Sequence, residues 1–184
     1  ARHGPPPLQR VHGGAISTDF GTPFQPKEVY AQKEKLQIAK KASGLIKDGM
    51  SLLLGGGTVM LELARLIPEN LEGTLFTVSP LVALEVTQRS SVDVILLAGR
   101  LARNSYICTG SSVVGQISEN KADLCLLGTN GLSLKDGITD PDWEVVQVKK
   151  AMIKSSERVA LLSIAEKKDI AHKLRVCPLH AIHY

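Results

Sequence analysis

The chain has 184 residues, of which 43% are hydrophobic and 22% charged, a composition typical of a globular protein with one main core. Aromatic residues make up only 4%, so the predicted core is aliphatic, and its Leu-, Val- and Ile-rich runs favour buried parallel strands. The net charge of +4 is spread along the chain in runs of mixed sign, which indicate solvated helix faces rather than a nucleic-acid surface.

The three cysteines bear on redox state and metal binding. Cys108, Cys125 and Cys177 are far apart and show no CxxC spacing, which indicates buried thiols in a reducing compartment rather than a disulfide or zinc framework. No apolar run approaches the ~18 residues that span a bilayer, and no signal peptide opens the chain. The sequence therefore predicts a cytoplasmic protein with no membrane segment, no metal and no cofactor.

Residues 1–26 are rich in glycine and proline, as in "GPPP" at Gly4–Pro7 and "HGG" at His12–Gly14. Such density is unfavourable for helices and strands, so we expect an arm or linker without regular elements. A helix is predicted from Lys27 to Lys47, where apolar positions recur at helical spacing and a glycine follows the end.

From residue 51 onwards, short apolar runs alternate with segments of helical periodicity. This pattern predicts an α/β fold with a Rossmann-like, mostly parallel sheet and helices on both faces. In such folds the ligand crevice lies at the carboxyl ends of the strands, so the residues that follow each strand form the candidate site. The predicted strands are Ser51–Leu54, Thr74–Val78, Val92–Leu97, Asp123–Leu127 and Arg158–Ser163, and the predicted helices are Val59–Ile67, Leu81–Gln88, Ser112–Glu119 and Trp143–Ser155.

Three consecutive glycines and a threonine, Gly55, Gly56, Gly57 and Thr58, separate the first strand from a helix. Backbone N–H groups at a helix N-terminus attract anions, and the missing side chains let a ligand approach closely. A tight turn without a ligand explains the same residues equally well. Nucleotide binding is disfavoured, because the loop is neither a GxGxxG motif nor a Walker loop with its lysine.

The second and third strands end in polar residues with two explanations each. Thr77 and Ser79 precede Pro80, and capping of the next helix by Ser79 is more common than ligand binding. Gly99 and Arg100 follow the third strand. Arg100 either contacts an oxyanion or is simply solvated.

The fourth strand ends in the longest polar loop, "GTNGLSLKDGITDPDWE". Pro141 is typical of a first helical turn, and Asp140 is predicted to be its N-cap, so a structural role explains most of the acidic residues. No metal-binding spacing is present. Because no histidine occurs between positions 13 and 171, a carboxylate is the remaining candidate for a general base. The candidates are Asp136, Asp140, Asp142 and Glu144.

Two adjacent lysines, Lys149 and Lys150, lie in the apolar pattern of the helix that follows. They point about 100° apart around the helix. Whichever of the two leans towards the crevice is able to attract an anion, and a solvated surface position is the alternative for both.

The ordered set of motifs resembles the C-terminal effector-binding domain of DeoR-type bacterial transcriptional repressors. The resemblance covers nearly the whole chain and implies a fold similar to ribose-phosphate isomerases and CoA transferases. It also implies sensing of a phosphorylated sugar or related metabolite, with the signal passed to DNA through an oligomer. The matching blocks are "RVHGGA", "EKLQIAKKASGLIKDGMSLLLGGGT", "VDVILLAGRL", "TGSSVVGQI", "ADLCLLGTNGLSLKDGIT" and "VKKAMIKSSERVALLS".

The resemblance implies binding roles for residues at several strand ends, and it favours Lys149 over a surface role. Where the family has Asp and Ser in the first loop, this chain has Gly55 and Gly56, so contacts to sugar hydroxyls are lost while backbone amides remain. A retained phosphate cradle with altered sugar selectivity is the expectation. The predicted ligand-binding residues are Gly55, Gly56, Gly57, Thr58, Thr77, Ser79, Gly99, Arg100, Gly128, Asn130, Gly131, Gly137, Thr139 and Lys149.

The resemblance also implies the domain organisation. Residues 1–26 are expected to be a linker after a winged-helix DNA-binding domain that these 184 residues lack, and residues 27–184 the sensor. DNA is then contacted only through the missing domain, and the sensor forms a dimer or tetramer. The alternatives are a sugar-phosphate isomerase-like enzyme and a domain that only mediates assembly.

Overall fold

The fold was obtained as a computed structural model, which describes residues 8–11, 14–17 and 31–184. Two short strands near the start, β1 (Leu8–Val11) and β2 (Gly14–Ser17), pair in antiparallel fashion. The expectation of no regular element in residues 1–26 is therefore wrong for these two segments. Glycine-rich sequences that interrupt helices also favour the tight turns of hairpins. The rest of the expected linker lies outside the described residues.

The predicted alternation of strands and helices is confirmed from residue 31 onwards. The elements, in chain order, are α1 (Gln32–Ser43), β3 (Met50–Leu54), α2 (Thr58–Ala64), β4 (Gly73–Thr77), α3 (Pro80–Thr87), β5 (Asp93–Leu96), β6 (Arg100–Leu101), β7 (Cys108–Thr109), α4 (Ser111–Ser118), β8 (Ala122–Gly128), β9 (Gly131–Ser133), β10 (Gly137–Asp140), α5 (Trp143–Lys154), β11 (Ser156–Leu162) and β12 (Leu174–Cys177).

The first helix is shorter than the predicted span of Lys27 to Lys47. It ends at Ser43, and the next amides, those of Leu45 and Ile46, bond to carbonyls only three residues earlier, so the chain tightens into turns after Gly44. Residues 27–30 lie outside the described part of the chain.

The main sheet of the described residues is parallel, with strand order β11-β8-β3-β4-β5. Its central strand β3 is apolar on both faces, because both faces are covered there, whereas the edge strand β5 is largely exposed. Leu52 and Leu54 pack in the core cluster that contains residues of α1, α2 and α3, whereas Leu53 packs in the cluster that contains residues of α4 and α5. Alternate side chains along β3 thus pack into two different core clusters, one on each face of the sheet.

A small antiparallel sheet, with order β12-β10-β9, was not predicted from the sequence. Its strands are three or four residues long and partly polar, so they carry little periodic signal. Ile138 and Val176 pack there against Val146 of α5 in a third core cluster. This sheet holds the polar segment after β8 against the helix that carries Lys149.

The chain reverses its direction of travel across the sheet between β3 and β8. From β3 it adds β4 and β5 on one side, and then returns to add β8 and β11 on the other. Such a switch point leaves a crevice outside the carboxyl ends of the two central strands. The glycine loop after β3 and the polar turn after β8 therefore lie side by side.

Candidate functional site

The first glycine of the loop, Gly55, is used by the fold itself. Its N–H donates to the Leu126 carbonyl of β8 at 2.9 Å. A Cβ on Gly128 would lie 3.6 Å from the Gly56 carbonyl oxygen, so the two loops are in direct contact. The Gly55 amide is thus unavailable to a ligand in this arrangement.

Gly56 has no room for a side chain. A Cβ at this position would lie 2.3 Å from Cγ2 of Ile107 and 3.3 Å from Cβ of Ser79. Ile107 is buried and belongs to the connection between β6 and β7, which places an apolar side chain against the loop. Packing is therefore one physical reason for the second glycine, and part of the crevice mouth is filled.

Gly57 is the open member of the loop. Its φ of 103° lies in the region that favours glycine, it is the N-cap of α2, and a Cβ there would meet nothing within 4 Å. No side chain caps this helix end at the N-cap position, and Gly57 is exposed while Thr58 is half-buried. The first-turn amides of α2 carry a partial positive charge that faces the crevice. Since α2 has only seven residues, any attraction of an anion to this end comes from these amides more than from the helix dipole.

Thr77 and Ser79 lie beside the glycine loop, but their hydroxyls serve the fold. Thr77 is fully buried, and its Oγ1 donates to the Leu54 carbonyl at 2.9 Å and accepts from the Ser79 N–H at 3.1 Å. Ser79 Oγ accepts from the Val82 N–H at 3.4 Å, which confirms the predicted cap of α3.

Gly99 and Arg100 lie on the β6–β7 side of the sheet. A Cβ on Gly99 would lie 2.5 Å from Cγ2 of Val113 and 2.6 Å from the Thr109 carbonyl oxygen, so this glycine permits close packing against α4. Arg100 is exposed, and its carbonyl accepts from the Thr109 hydroxyl at 3.2 Å. The solvated alternative for Arg100 is the better supported one.

Gly131, Gly137 and Thr139 hold the small sheet together. A Cβ on Gly131 would lie 2.6 Å from Oγ1 of Thr139, and one on Gly137, whose φ is 75°, would lie 2.3 Å from the Cys177 carbonyl oxygen. Thr139 is buried, and its Oγ1 accepts from the His172 N–H at 3.0 Å. These residues fix the positions of β9, β10 and β12, and the contacts given for them are with other parts of the chain.

A polar cluster lies at the end of β10, formed by exposed Asn130, buried Asp140 and half-buried Lys149 and called the Asp140 cluster below. Oδ2 of Asp140 accepts from Nζ of Lys149 at 2.8 Å and from Nδ2 of Asn130 at 3.0 Å. Oδ1 of Asp140 accepts from the Asp142 N–H at 3.2 Å. The side chains of Asp140 and Lys149 are only 1% and 12% exposed. This is a shielded ion pair at the carboxyl edge of the sheet.

The prediction that Asp140 caps the next helix is wrong. Asp140 ends β10, whereas α5 begins at Trp143 and is capped by Asp142, whose Oδ1 accepts from the Glu144 N–H at 2.9 Å and the Val145 N–H at 3.3 Å. Pro141 lies two residues before the helix, so it is not a first-turn residue. The displaced Asp140 side chain is free to turn inwards to Lys149.

The two adjacent lysines have different environments, as their spacing predicts. Lys149 is half-buried in the Asp140 cluster, while Lys150 is exposed. Lys149 therefore lies at the crevice, where its ammonium group is paired with the Asp140 carboxylate.

His172 lies beside Asn130, a placement that the sequence did not predict. Its Nε2 lies 3.2 Å from the Asn130 carbonyl oxygen, although the two residues are 42 positions apart. The pairing of β10 with β12 brings this part of the chain back to the site. No local pattern around His172 signals this return, and the absence of histidines between positions 13 and 171 says nothing about where this residue lies.

The acidic residues considered as general bases have structural partners. Asp136 accepts from the Ser133 hydroxyl at 3.1 Å, Asp142 caps α5, and Asp140 lies in its cluster. Glu144 lies in the first turn of α5, where a carboxylate favours the helix dipole. Among the residues that the structure describes, no group of three His, Cys, Asp or Glu side chains is placed to hold a metal ion.

The three cysteines are buried and free, as predicted. Burial raises the pKa of Cys125 to about 12. Burial also raises the pKa of Cys177, against the opposing charges of Arg175 and Lys149. The raised pKa values keep the Cys125 and Cys177 thiols protonated at neutral pH, so these two are poor nucleophiles.

A groove of about 410 Å³ lies away from the switch point, beside the outer edge of β11. Leu132, Leu161, Ile182, His183 and Tyr184 are among its lining residues. In residues 8–11, 14–17 and 31–184, no helix is long and apolar enough to cross a membrane.

Comparisons with known proteins agree with this geometry. The family model described as DeoR C terminal sensor domain matches residues 30–184. The HTH-type transcriptional regulator GlpR of Haloferax volcanii is 29% identical over 164 residues, which cover 85% of this chain and 62% of that protein. The glycerol-3-phosphate regulon repressor of Haemophilus influenzae is 26% identical over 179 residues, which cover 96% of this chain and 70% of that protein.

Among solved structures, ribose 5-phosphate isomerase A of Methanocaldococcus jannaschii has a TM-score of 0.55 at 18% identity, covering 76% of this chain and 55% of that one. This likeness confirms the predicted fold class and carries no statement about activity. The chain spans about three fifths of the length of the first relatives, 62% in the case of GlpR.

Proposed function

Because the chain belongs to the DeoR C-terminal sensor domain family, we propose that it is the effector-sensing part of a transcriptional regulator and that it binds a phosphorylated sugar or a similar anionic metabolite. The relatives carry the names of transcriptional regulators and repressors, which supports sensing rather than catalysis.

This proposal rests on the two groups that lie on either side of the crevice at the switch point. The open amides at Gly57 and Thr58 follow β3, and the Asp140 cluster follows β8 and β10, so neutral N–H donors and a charged cluster flank one crevice. Crevices at switch points are the usual ligand sites of open α/β sheets.

The energetic cost of the Asp140 cluster also supports a binding role. Desolvating an ammonium and a carboxylate costs several kcal/mol per ion, and apolar residues of similar volume often stabilise a fold better. Asp140 contacts Asn130, which follows β8, so the ion pair lies beside the crevice. A function at the crevice would explain why the chain retains a pair of this cost there.

In the proposed complex, the anion is held by the amides at Gly57 and Thr58, with Lys149 supplying positive charge. An ammonium about 4 Å from a single negative charge gains roughly 4 kcal/mol before desolvation is subtracted, at an effective dielectric of 20. Thr77 and Ser79 are left out of the proposed contacts, since their hydroxyls are engaged internally.

The proposal extends to the longer protein. Relatives with names of the HTH type are longer than this chain, so we assign DNA binding to a separate domain, with residues 1–26 as the linker to it. The sensor would act as a homo-oligomer, and a ligand that binds one arrangement better would shift the population by its differential affinity, typically 1 to 3 kcal/mol.

One observation favours a second candidate, a domain that only mediates assembly. Ile107 fills the space over Gly56, and the Gly55 amide is bonded to Leu126. Both narrow the crevice. The isomerase alternative has less support, because Asp136, Asp140 and Asp142 are all engaged in internal contacts.

The test compares phosphorylated with unphosphorylated metabolites in calorimetric titrations and thermal melts. Glycerol 3-phosphate and sugar phosphates are expected to bind and raise the Tm, whereas glycerol and free sugars are not. Saturating ligand at 100 times its Kd would add about 2.7 kcal/mol of stability. Lys149→Ala should weaken this response, and Lys150→Ala, on the exposed side of the same helix, is the matched control.

If no phosphorylated metabolite binds, while light scattering still shows a defined oligomer, the assembly role replaces the sensing role. If Lys149→Ala binds as well as Lys150→Ala does, the anion lies elsewhere.

A further inference from the structure

The charge that would attract an anionic ligand is already matched inside the protein. Nζ of Lys149 lies 2.8 Å from Oδ2 of Asp140, which has 1% of its side chain exposed. The formal charge of the Asp140 cluster is therefore zero, since Asn130 is neutral.

Asp140 also accepts a hydrogen bond from the other side-chain donor of the cluster, the amide of Asn130. Nδ2 of Asn130 donates to the same Oδ2 atom at 3.0 Å, and the Asp142 N–H donates to Oδ1 at 3.2 Å. A carboxylate that accepts three hydrogen bonds is bound by its surroundings as an anionic ligand would be. A phosphate oxygen is an acceptor of the same kind and would have to compete for the same donors.

We propose that Asp140 is the specificity-determining residue of this site: its carboxylate competes with ligand anions for Lys149 and Asn130, and thereby rejects small bare anions such as inorganic phosphate. This inference rests on the proposed function. A phosphorylated metabolite overcomes the competition because its organic part makes contacts in the crevice that inorganic phosphate lacks.

A competing carboxylate and a merely structural ion pair predict different effects on anion binding. A structural pair would affect folding when broken, but its loss would not create affinity for an anion through Lys149. Competition predicts that removal of the negative charge frees the ammonium group, so that affinity for bare anions rises and depends on Lys149.

The experiment uses three variants of the full chain and calorimetric titration with inorganic phosphate and with glycerol 3-phosphate. Asp140→Asn is expected to bind inorganic phosphate at least about tenfold more tightly than the unaltered chain does. The double variant Asp140→Asn/Lys149→Met should lose that gain. Asp136→Asn removes one negative charge from the same hairpin without contact to Lys149, so it should leave phosphate affinity unchanged.

Folding is checked by circular dichroism before each titration. The double variant removes both charges of the pair and so leaves no unpaired buried ion. Asp140→Ser provides a second, smaller replacement, and it should show the same gain as Asp140→Asn.

The possible failures are distinguishable. A chain that binds glycerol 3-phosphate but gains no phosphate affinity on Asp140→Asn and Asp140→Ser overturns this inference and leaves the proposed function intact. A gain that persists in the double variant, or that Asp136→Asn reproduces, also overturns it, because the effect then does not pass through Lys149. Absence of binding by the unaltered chain and all variants overturns the proposed function and this inference together.

Discussion

The two sides of the switch-point crevice are built from different chemical groups. The side after β3, Gly55 to Thr58, is built from backbone, with glycines that bring amides close to the crevice and leave room for Ile107. The side after β8 and β10 is built from charged and amide side chains, those of the Asp140 cluster. The backbone side offers fixed, uncharged donors, whereas the side-chain side contributes an ion pair whose formal charges cancel.

Because of this difference, we expect the backbone side to shape the crevice and the side-chain side to determine which ligand is selected. Backbone amides hold any acceptor of suitable size, and substitutions other than proline leave them in place. Side chains in an ion pair are able to exchange partners, so under our proposal the Asp140 cluster is the side that selects among anions. Substitutions on the two sides should therefore have different consequences for folding and for binding.

The largest effect is expected from breaking the ion pair. Lys149→Met leaves the Asp140 carboxylate buried without its counter-ion, which should lower the free energy of unfolding by about 3 to 5 kcal/mol in urea titrations. Lys150→Met, at an exposed position, should stay within about 0.5 kcal/mol of the unaltered chain. Equal costs for the two variants would show that the pair contributes nothing to stability.

A smaller effect is expected from filling the backbone side. Gly56→Ala would place Cβ 2.3 Å from Cγ2 of Ile107, and a β-branched side chain cannot easily turn away. Such overpacking should cost about 1 to 3 kcal/mol in the same titrations. Combined with Ile107→Ala, which removes the clashing methyl group, the cost should be less than the sum of the single costs. Additive costs would contradict the clash.

The smallest effects compare two glycines by backbone conformation. Gly57→Ala has open space but a φ of 103°, so it should cost about 1 kcal/mol through strain. Gly115→Ala in α4 also has open space and an ordinary helical conformation, and should stabilise the chain by about 0.5 to 1 kcal/mol. Thermal melts of both variants measure the difference. The same sign for both changes would show that strain at Gly57 is not what fixes the loop.

The backbone side was predictable from sequence, and the side-chain side only in part. Glycines after an apolar run mark a strand end directly, and each of the five strands of the main sheet contains a short apolar run. Asp140 was misassigned because Asp142 competes for the same capping role two residues later, and local patterns cannot rank two such candidates. The contacts of Asp140 with Lys149 and of His172 with Asn130 depend on the short β10 and β12 strands, which have no clear periodicity.

The central claim is that an anionic metabolite binds between these two sides. The most direct measurement is a titration of the ¹⁵N-labelled chain with glycerol 3-phosphate, followed by two-dimensional NMR. The account predicts saturable shifts of the backbone amides of Gly57 and Thr58 and of the Asn130 side-chain amide. Saturable shifts confined to the groove beside Tyr184, or no shifts at any concentration, would contradict it.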